Sequence, residues 1–109
     1  MTFEEYQKKA ETTAVYPNKG KNLIYTILGL VGESGEVAEK VKKIIRDKGG
    51  QINREDKQLL AKELGDVLWY LAMASQELGL SLEYVADLNV EKLQDRYKRE
   101  KIHGQGDER

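Results

Sequence analysis

The chain contains no cysteine, so no disulfide staples it and no thiolate holds a metal. It has a single proline, which leaves few obligatory breaks in helical periodicity, and a single histidine, too few for an imidazole-rich metal site. No apolar run approaches the roughly 20 residues that span a bilayer, and the polar segment Met1–Lys9 is unlike a signal peptide. Nor is there a field of one sign: the formal net charge is −1, although 34% of residues are charged. A nucleic-acid polymer therefore meets no general basic surface, and any anionic ligand has to be bound by local arrangement. These absences point to a cytoplasmic protein with no membrane and no nucleic-acid polymer as partner.

What is present reads as helix. A length of 109 residues suggests one domain, 1–109, because two cores would each be too small. The spacing predicts a short helix from about Thr2 to Thr13, opened by a Thr2/Glu5 capping pattern, then a loop around Pro17 and Gly20. A second helix is expected from about Asn22 to Lys48, with Ile24, Ile27, Leu28 and Val31, then Ala38, Val41 and Ile45, along its apolar stripe. Gly49-Gly50 stops it. A third helix opens at the N-cap Asn53, with Asp56 at its third position, and runs to Leu78 before Gly79. Ser81 caps a fourth, which carries Leu82, Val85, Ala86, Val90, Leu93 and Tyr97. The polar, glycine-rich end, about 101–109, is expected to be a flexible tail.

The fold class is thus all-α, built on an antiparallel hairpin of the second and third helices with flanking helices beside it. At roughly 25 residues, or 37 Å, each long helix has more apolar face than two shorter neighbours can cover. A four-helix-bundle type core completed by oligomerisation, as a homodimer or homotetramer, is the expected solution.

Chemistry enters with two carboxylate pairs. Glu33 and Glu36 stand three apart, as do Glu63 and Asp66, so the members of each pair share a helix face. Pairs of this kind are common on solvated helices, and three features set these apart. Gly29, Gly32 and Gly35 crowd the helix beside the first pair, and Gly65 lies within the second, where Gly costs about 1 kcal/mol relative to Ala unless the backbone is closely approached. Glu63 and Asp66 interrupt a largely apolar stretch, so at least one is expected to face a packed interface, where carboxylates repel unless a cation neutralises them. Finally, with the turn centred near Gln51, Glu36 and Asp66 each lie about 15 residues from it. Two such pairs on facing helices suit a hard divalent cation, Mg²⁺ or Mn²⁺.

The segments Gly32-Glu33-Ser34-Gly35-Glu36-Val37-Ala38-Glu39 and Glu63-Leu64-Gly65-Asp66-Val67-Leu68-Trp69-Tyr70-Leu71 resemble the MazG-like branch of the all-α nucleoside triphosphate pyrophosphohydrolases. Asn89-x-x-Lys92-Leu93-x-x-Arg96-Tyr97 resembles the last helix of that family, and the likeness extends over roughly residues 20 to 100. It implies an oligomeric helical bundle and Mg²⁺-dependent hydrolysis of an NTP or dNTP to the monophosphate and pyrophosphate, with nucleotide-pool housecleaning as the expected role. It also implies Glu33, Glu36, Glu63 and Asp66 as metal ligands, with Glu36 or Glu63 as general base, and Asn89, Lys92 and Arg96 as a cationic wall for phosphates. Spacing alone favours a solvated face for that wall, since Glu91 and Asp95 interleave it. On this resemblance the chain is expected to be a single catalytic module, without the tandem duplication of longer MazG proteins.

Several side chains have two readings. Lys40 belongs either to the site or to a helix-face pair with Glu36, and Glu39 either extends the acidic face or pairs with Lys42 or Lys43. Trp69 and Tyr70 stack on a base or, more commonly for such residues, pack in the interior. Tyr97 reads as packing, and His103 sits in the tail, away from any motif. A carboxylate-bridged di-iron bundle is excluded because no histidine lies in helices two to four. A non-enzymatic interaction module with an acidic face is the remaining rival, and it would spread its acids along an outer face rather than bunch them at mid-helix.

Overall fold

The computed structural model describes residues 1–99; the tail expected at about 101–109 lies outside the described residues. Four helices follow in order: α1 (Phe3–Glu11), α2 (Leu23–Lys48), α3 (Arg54–Glu77) and α4 (Leu82–Lys98). There is no strand among the described residues.

Each helix begins where a short polar side chain can take up an otherwise unbonded backbone N–H. Thr2 Oγ1 accepts from the Glu5 N–H at 3.1 Å, and Asn22 Oδ1 from the Tyr25 N–H at 3.1 Å. Asn53 and Asp56 form a reciprocal capping box, with bonds of 2.8 and 3.1 Å. Ser81 Oγ accepts from the Tyr84 N–H at 3.0 Å. α2 stops because Gly49 takes the left-handed conformation, φ 62°, with its N–H turned back onto the Ile44 carbonyl.

α2 and α3 form the expected antiparallel hairpin. Three crossing contacts step away from the turn in sequence: Lys48 to Asp56 at 2.8 Å, Lys40 to Glu63 at 3.7 Å, and Tyr70 against Gly29. The last leaves no room for a side chain on α2. A Cβ built on Gly29 would lie 2.1 Å from the Tyr70 ring, so the absence of a side chain there is what seats the tyrosine. Gly32, Gly35 and Gly65 differ: nothing in the chain comes within 4 Å of where their side chains would be. The expectation of close backbone approach therefore holds within the chain at Gly29 and not at the other three.

The buried core sits at the end of the hairpin far from its turn. Ala10 and Ala14, the loop residue Tyr16, Ala72 and Met73 of α3, and Leu82 of α4 form it, with Trp69 and Leu68 packed against it. Trp69, as its interior reading required, donates its indole N–H to the Ala10 carbonyl at 3.2 Å and to Thr13 Oγ1 at 3.0 Å. Gln7 is buried and ties α1 to the α3–α4 turn, donating to the Ala72 and Leu80 carbonyls and accepting from the Leu82 N–H. Glu77 clamps the other side of this end: its carboxylate accepts from the Gly20 N–H at 2.7 Å and from the Asn22 N–H. Desolvation pushes the Glu77 carboxyl up, but those two N–H groups, the Tyr16 hydroxyl and Lys19 outweigh it and hold the group below its ordinary range.

α2 packs on α3 and makes no contact with α1 or α4 among the described residues. Its outward stripe stays bare, with Ile24, Leu28 and Val31 at 74%, 67% and 65% exposure. Gly29→Ala is expected to lower stability by about 1–2 kcal/mol, overpacking outweighing the gain in helix propensity. In a Tyr70→Ala background the same change should become neutral or stabilising, as chemical denaturation of the four proteins would report.

Candidate metal centre

One turn beyond the Gly29–Tyr70 contact, on the same helix faces, stand Glu33 of α2 and Asp66 of α3. Glu63 lies one turn closer to the hairpin turn. Each of Glu33, Glu63 and Asp66 offers a carboxylate oxygen, and the three atoms all lie within 4.8 Å of one another. Glu33 and Glu63 are half-buried and Asp66 is exposed, so the group forms an open notch on the hairpin rather than a closed cage. Glu36 is exposed and lies outside this group, although its charge reaches Glu33. Glu33, rather than Glu36, is thus gathered with Asp66.

Three like charges at this spacing have an electrostatic signature. Burial, followed by the charges of Asp66, Glu63 and Glu36, pushes the Glu33 carboxyl above its ordinary value. The same field reaches two phenols. Tyr6 of α1 is raised by burial and by Asp66, and Tyr70 by burial, by its neighbour Tyr25, and by Glu33 and Asp66. Neither Tyr6 nor Tyr25 stood out in the sequence. Their place depends on how α1 and the start of α2 lie against α3, which helical periodicity does not encode.

The donor set suits a hard divalent cation. Mg²⁺–oxygen bonds of about 2.0–2.1 Å keep oxygens on one ion within about 4.2 Å of each other, so small side-chain rotations close this group onto a single ion. The three carboxylates come from two helices, and every donor is oxygen, as Mg²⁺ or Mn²⁺ prefers.

The other expected site residues are less tightly gathered. α4 packs on α1 and α3 and does not touch α2 among the described residues. On it, Asn89 is exposed, Lys92 is half-buried and Arg96 is only 3% exposed. Tyr97, expected to pack, is 76% exposed. Glu39 resolves as a surface pair with Lys42 and Lys43, at 3.0 and 3.8 Å. Lys40 crosses to Glu63, one of the three gathered carboxylates, rather than pairing with Glu36 on its own helix.

The described residues make an all-helical fold with three carboxylates gathered on its central hairpin, and comparison places it in a family. The family model described as the MazG nucleotide pyrophosphohydrolase domain matches residues 22–100, which contain all seven expected site residues. The chain belongs to that family. It is also 46% identical, over an alignment of 114 positions spanning the whole of both chains, to "Gene 37 protein" of Mycobacterium phage L5. No solved structure matches.

The raised Glu33 carboxyl has a testable sign. A folded pKa above the unfolded one means that ionised Glu33 costs stability at neutral pH, and that the cost fades as pH falls through the raised pKa. Metal-free Glu33→Gln should therefore be more stable than the parent at neutral pH, with the gap closing on acidification. Thermal melts of both proteins across that range check it.

Proposed function

We propose that the chain hydrolyses a nucleoside triphosphate, NTP or dNTP, to the monophosphate and pyrophosphate with Mg²⁺ as cofactor. The observation that carries this reading is the convergence of Glu33, Glu63 and Asp66 from two helices onto one point, in a chain of the MazG nucleotide pyrophosphohydrolase family. Bound there, the cation would polarise phosphate oxygens and make a water more acidic.

The residues divide the remaining work. Glu33, Glu63 and Asp66 hold the cation, and Glu36 extends the acidic face one turn toward the hairpin turn. Because Glu36 is exposed and outside the closest group, it is the carboxylate left to act as general base. It takes a proton from the attacking water as that oxygen bonds to the α-phosphorus; the bond from the α-phosphorus to the bridging oxygen breaks, and pyrophosphate leaves. Asn89 and Lys92 are the accessible members of the cationic wall for the phosphates. Arg96, buried in the chain, supports the helix that carries the other two.

The same reading includes a homodimer or homotetramer. The bare stripe of Ile24, Leu28 and Val31 runs at four- and three-residue spacing beside Gly32 and Gly35, whose missing side chains leave room for another helix. The bundle around the carboxylates is completed by a second copy seated on that face. Cytoplasmic nucleotide-pool housecleaning is the role this chemistry fits; no helix of the described residues is long and apolar enough to cross a membrane.

Two experiments test the reading. With Mg²⁺, the protein should release pyrophosphate, not orthophosphate, from at least one common NTP or dNTP. Glu63→Gln and Asp66→Asn should each lower turnover by at least about 100-fold while retaining parental helicity. Full activity in both variants would overturn the metal assignment. Separately, Val31→Glu should shift the sedimentation profile from oligomer to monomer, and a parent that is already monomeric at assay concentration would contradict the completed bundle.

A further inference from the structure

The face of α2 that carries Glu33 and Glu36 continues toward the hairpin turn. Glu33, Glu36, Lys40, Lys43 and Asp47 follow at three- and four-residue spacing, so one stripe changes from acidic to mixed charge. The lysines along this part of α2 take different partners. Lys42 and Lys43 pair with Glu39, and Lys48 pairs with Asp56 at the turn. Lys40 reaches across to α3, with its ammonium 3.7 Å from a Glu63 carboxylate oxygen.

That contact puts a cation against one of the three converging carboxylates. In the metal-free chain it supplies positive charge where Glu33, Glu63 and Asp66 repel one another. A divalent cation drawn to the same carboxylates meets an ammonium already there, and two positive charges a few ångströms apart at a half-buried carboxylate oppose each other. Lys40 also has a second place to go. Its stem lines a cavity of about 180 Å³ on the turn side of the cluster, together with Lys43, Ile44, Asp47, Lys48 and Asp56. The apolar walls suit its methylene stem; the aspartates there already have cations, Asp47 in Arg46 and Asp56 in Lys48, so the part-exposed Lys40 ammonium leaves Glu63 for solvent.

We propose that Lys40 is the resident counter-ion of the carboxylate cluster: it holds Glu63 in the metal-free chain and yields it to a divalent cation by turning its ammonium out to solvent. Lys40 is then a positioning residue acting through Glu63. The inference rests on the metal-centre reading above, and it adds that metal occupancy is set by competition with a side chain of the protein itself.

The test uses the full chain and Mn²⁺ alone as probe, read by calorimetry or paramagnetic resonance, with melting temperatures measured without metal. Lys40→Met should bind Mn²⁺ about three- to tenfold more tightly than the parent, the effect of removing one competing charge at a partly exposed site. Its metal-free melting temperature should fall, because the cluster loses its neutralising partner. Lys40→Arg, which keeps the charge, should stay near the parent in both readouts. In a Glu63→Gln background, Lys40→Met should no longer lower the metal-free melting temperature. Unchanged or weaker Mn²⁺ binding by Lys40→Met, with the parent binding normally, overturns the counter-ion role alone. A parent that binds no Mn²⁺ overturns the metal centre, and this inference with it.

Discussion

The seat of Tyr70 on Gly29 is the contact on which the rest of the arrangement depends. No Cβ fits at Gly29, so the tyrosine ring lies against the backbone of α2 and sets how closely α3 approaches it. Glu33 and Asp66 follow one turn further along the same two faces, and the closeness of the helices there is what brings their carboxylates together with Glu63. The ring also joins the contact to the buried end of the molecule. Tyr70 packs edge-on against Trp69, Trp69 against Tyr16, and Tyr16 stacks on Tyr25 at 5.1 Å. An aromatic run thus connects the Gly29–Tyr70 seat to the core, and the notch is held by packing on one side while its acidic mouth stays open.

Charge works against that packing. Burial raises the Glu33 carboxyl, the neighbouring carboxylates raise it further, and their negative field adds to the burial that raises Tyr6 and Tyr70. A structure of marginal stability keeps such a feature only where something offsets it. Among the described residues Lys40, 3.7 Å from Glu63, supplies such an offset; in the proposed enzyme the metal does. In the proposed enzyme, stability and function would be coupled through the same few atoms, since the repulsion among these carboxylates is what a bound divalent cation would relieve.

The legible parts of this fold were local. Asn22, Asn53 and Ser81 announce helix starts because a capping side chain acts on an N–H only two or three residues away, and Gly49 ends α2 through its own backbone angle. A five-residue connection then leaves little choice but an antiparallel hairpin, so the two carboxylate pairs had to meet near mid-length. Which members meet was not legible. Counting from the turn pairs Glu36 with Asp66, whereas the Gly29–Tyr70 seat brings Glu33 to that level. The glycines misled in part for a related reason: a sequence shows that space is needed, not whether the chain itself fills it, and only Gly29 is filled from within. Arg96 and Tyr97 exchange their expected places, one buried and one bare, because α4 turns a polar position inward against α1 and α3, which its own periodicity does not reveal.

The central claim is attack by water at the α-phosphorus of a nucleotide held at the Glu33–Glu63–Asp66 notch. The most direct measurement is a single-turnover hydrolysis in water enriched in heavy oxygen, with both products analysed by mass spectrometry. The account predicts the label in the nucleoside monophosphate and none in the pyrophosphate. Label in the pyrophosphate, or in released orthophosphate, would place the attack at another phosphorus and contradict it.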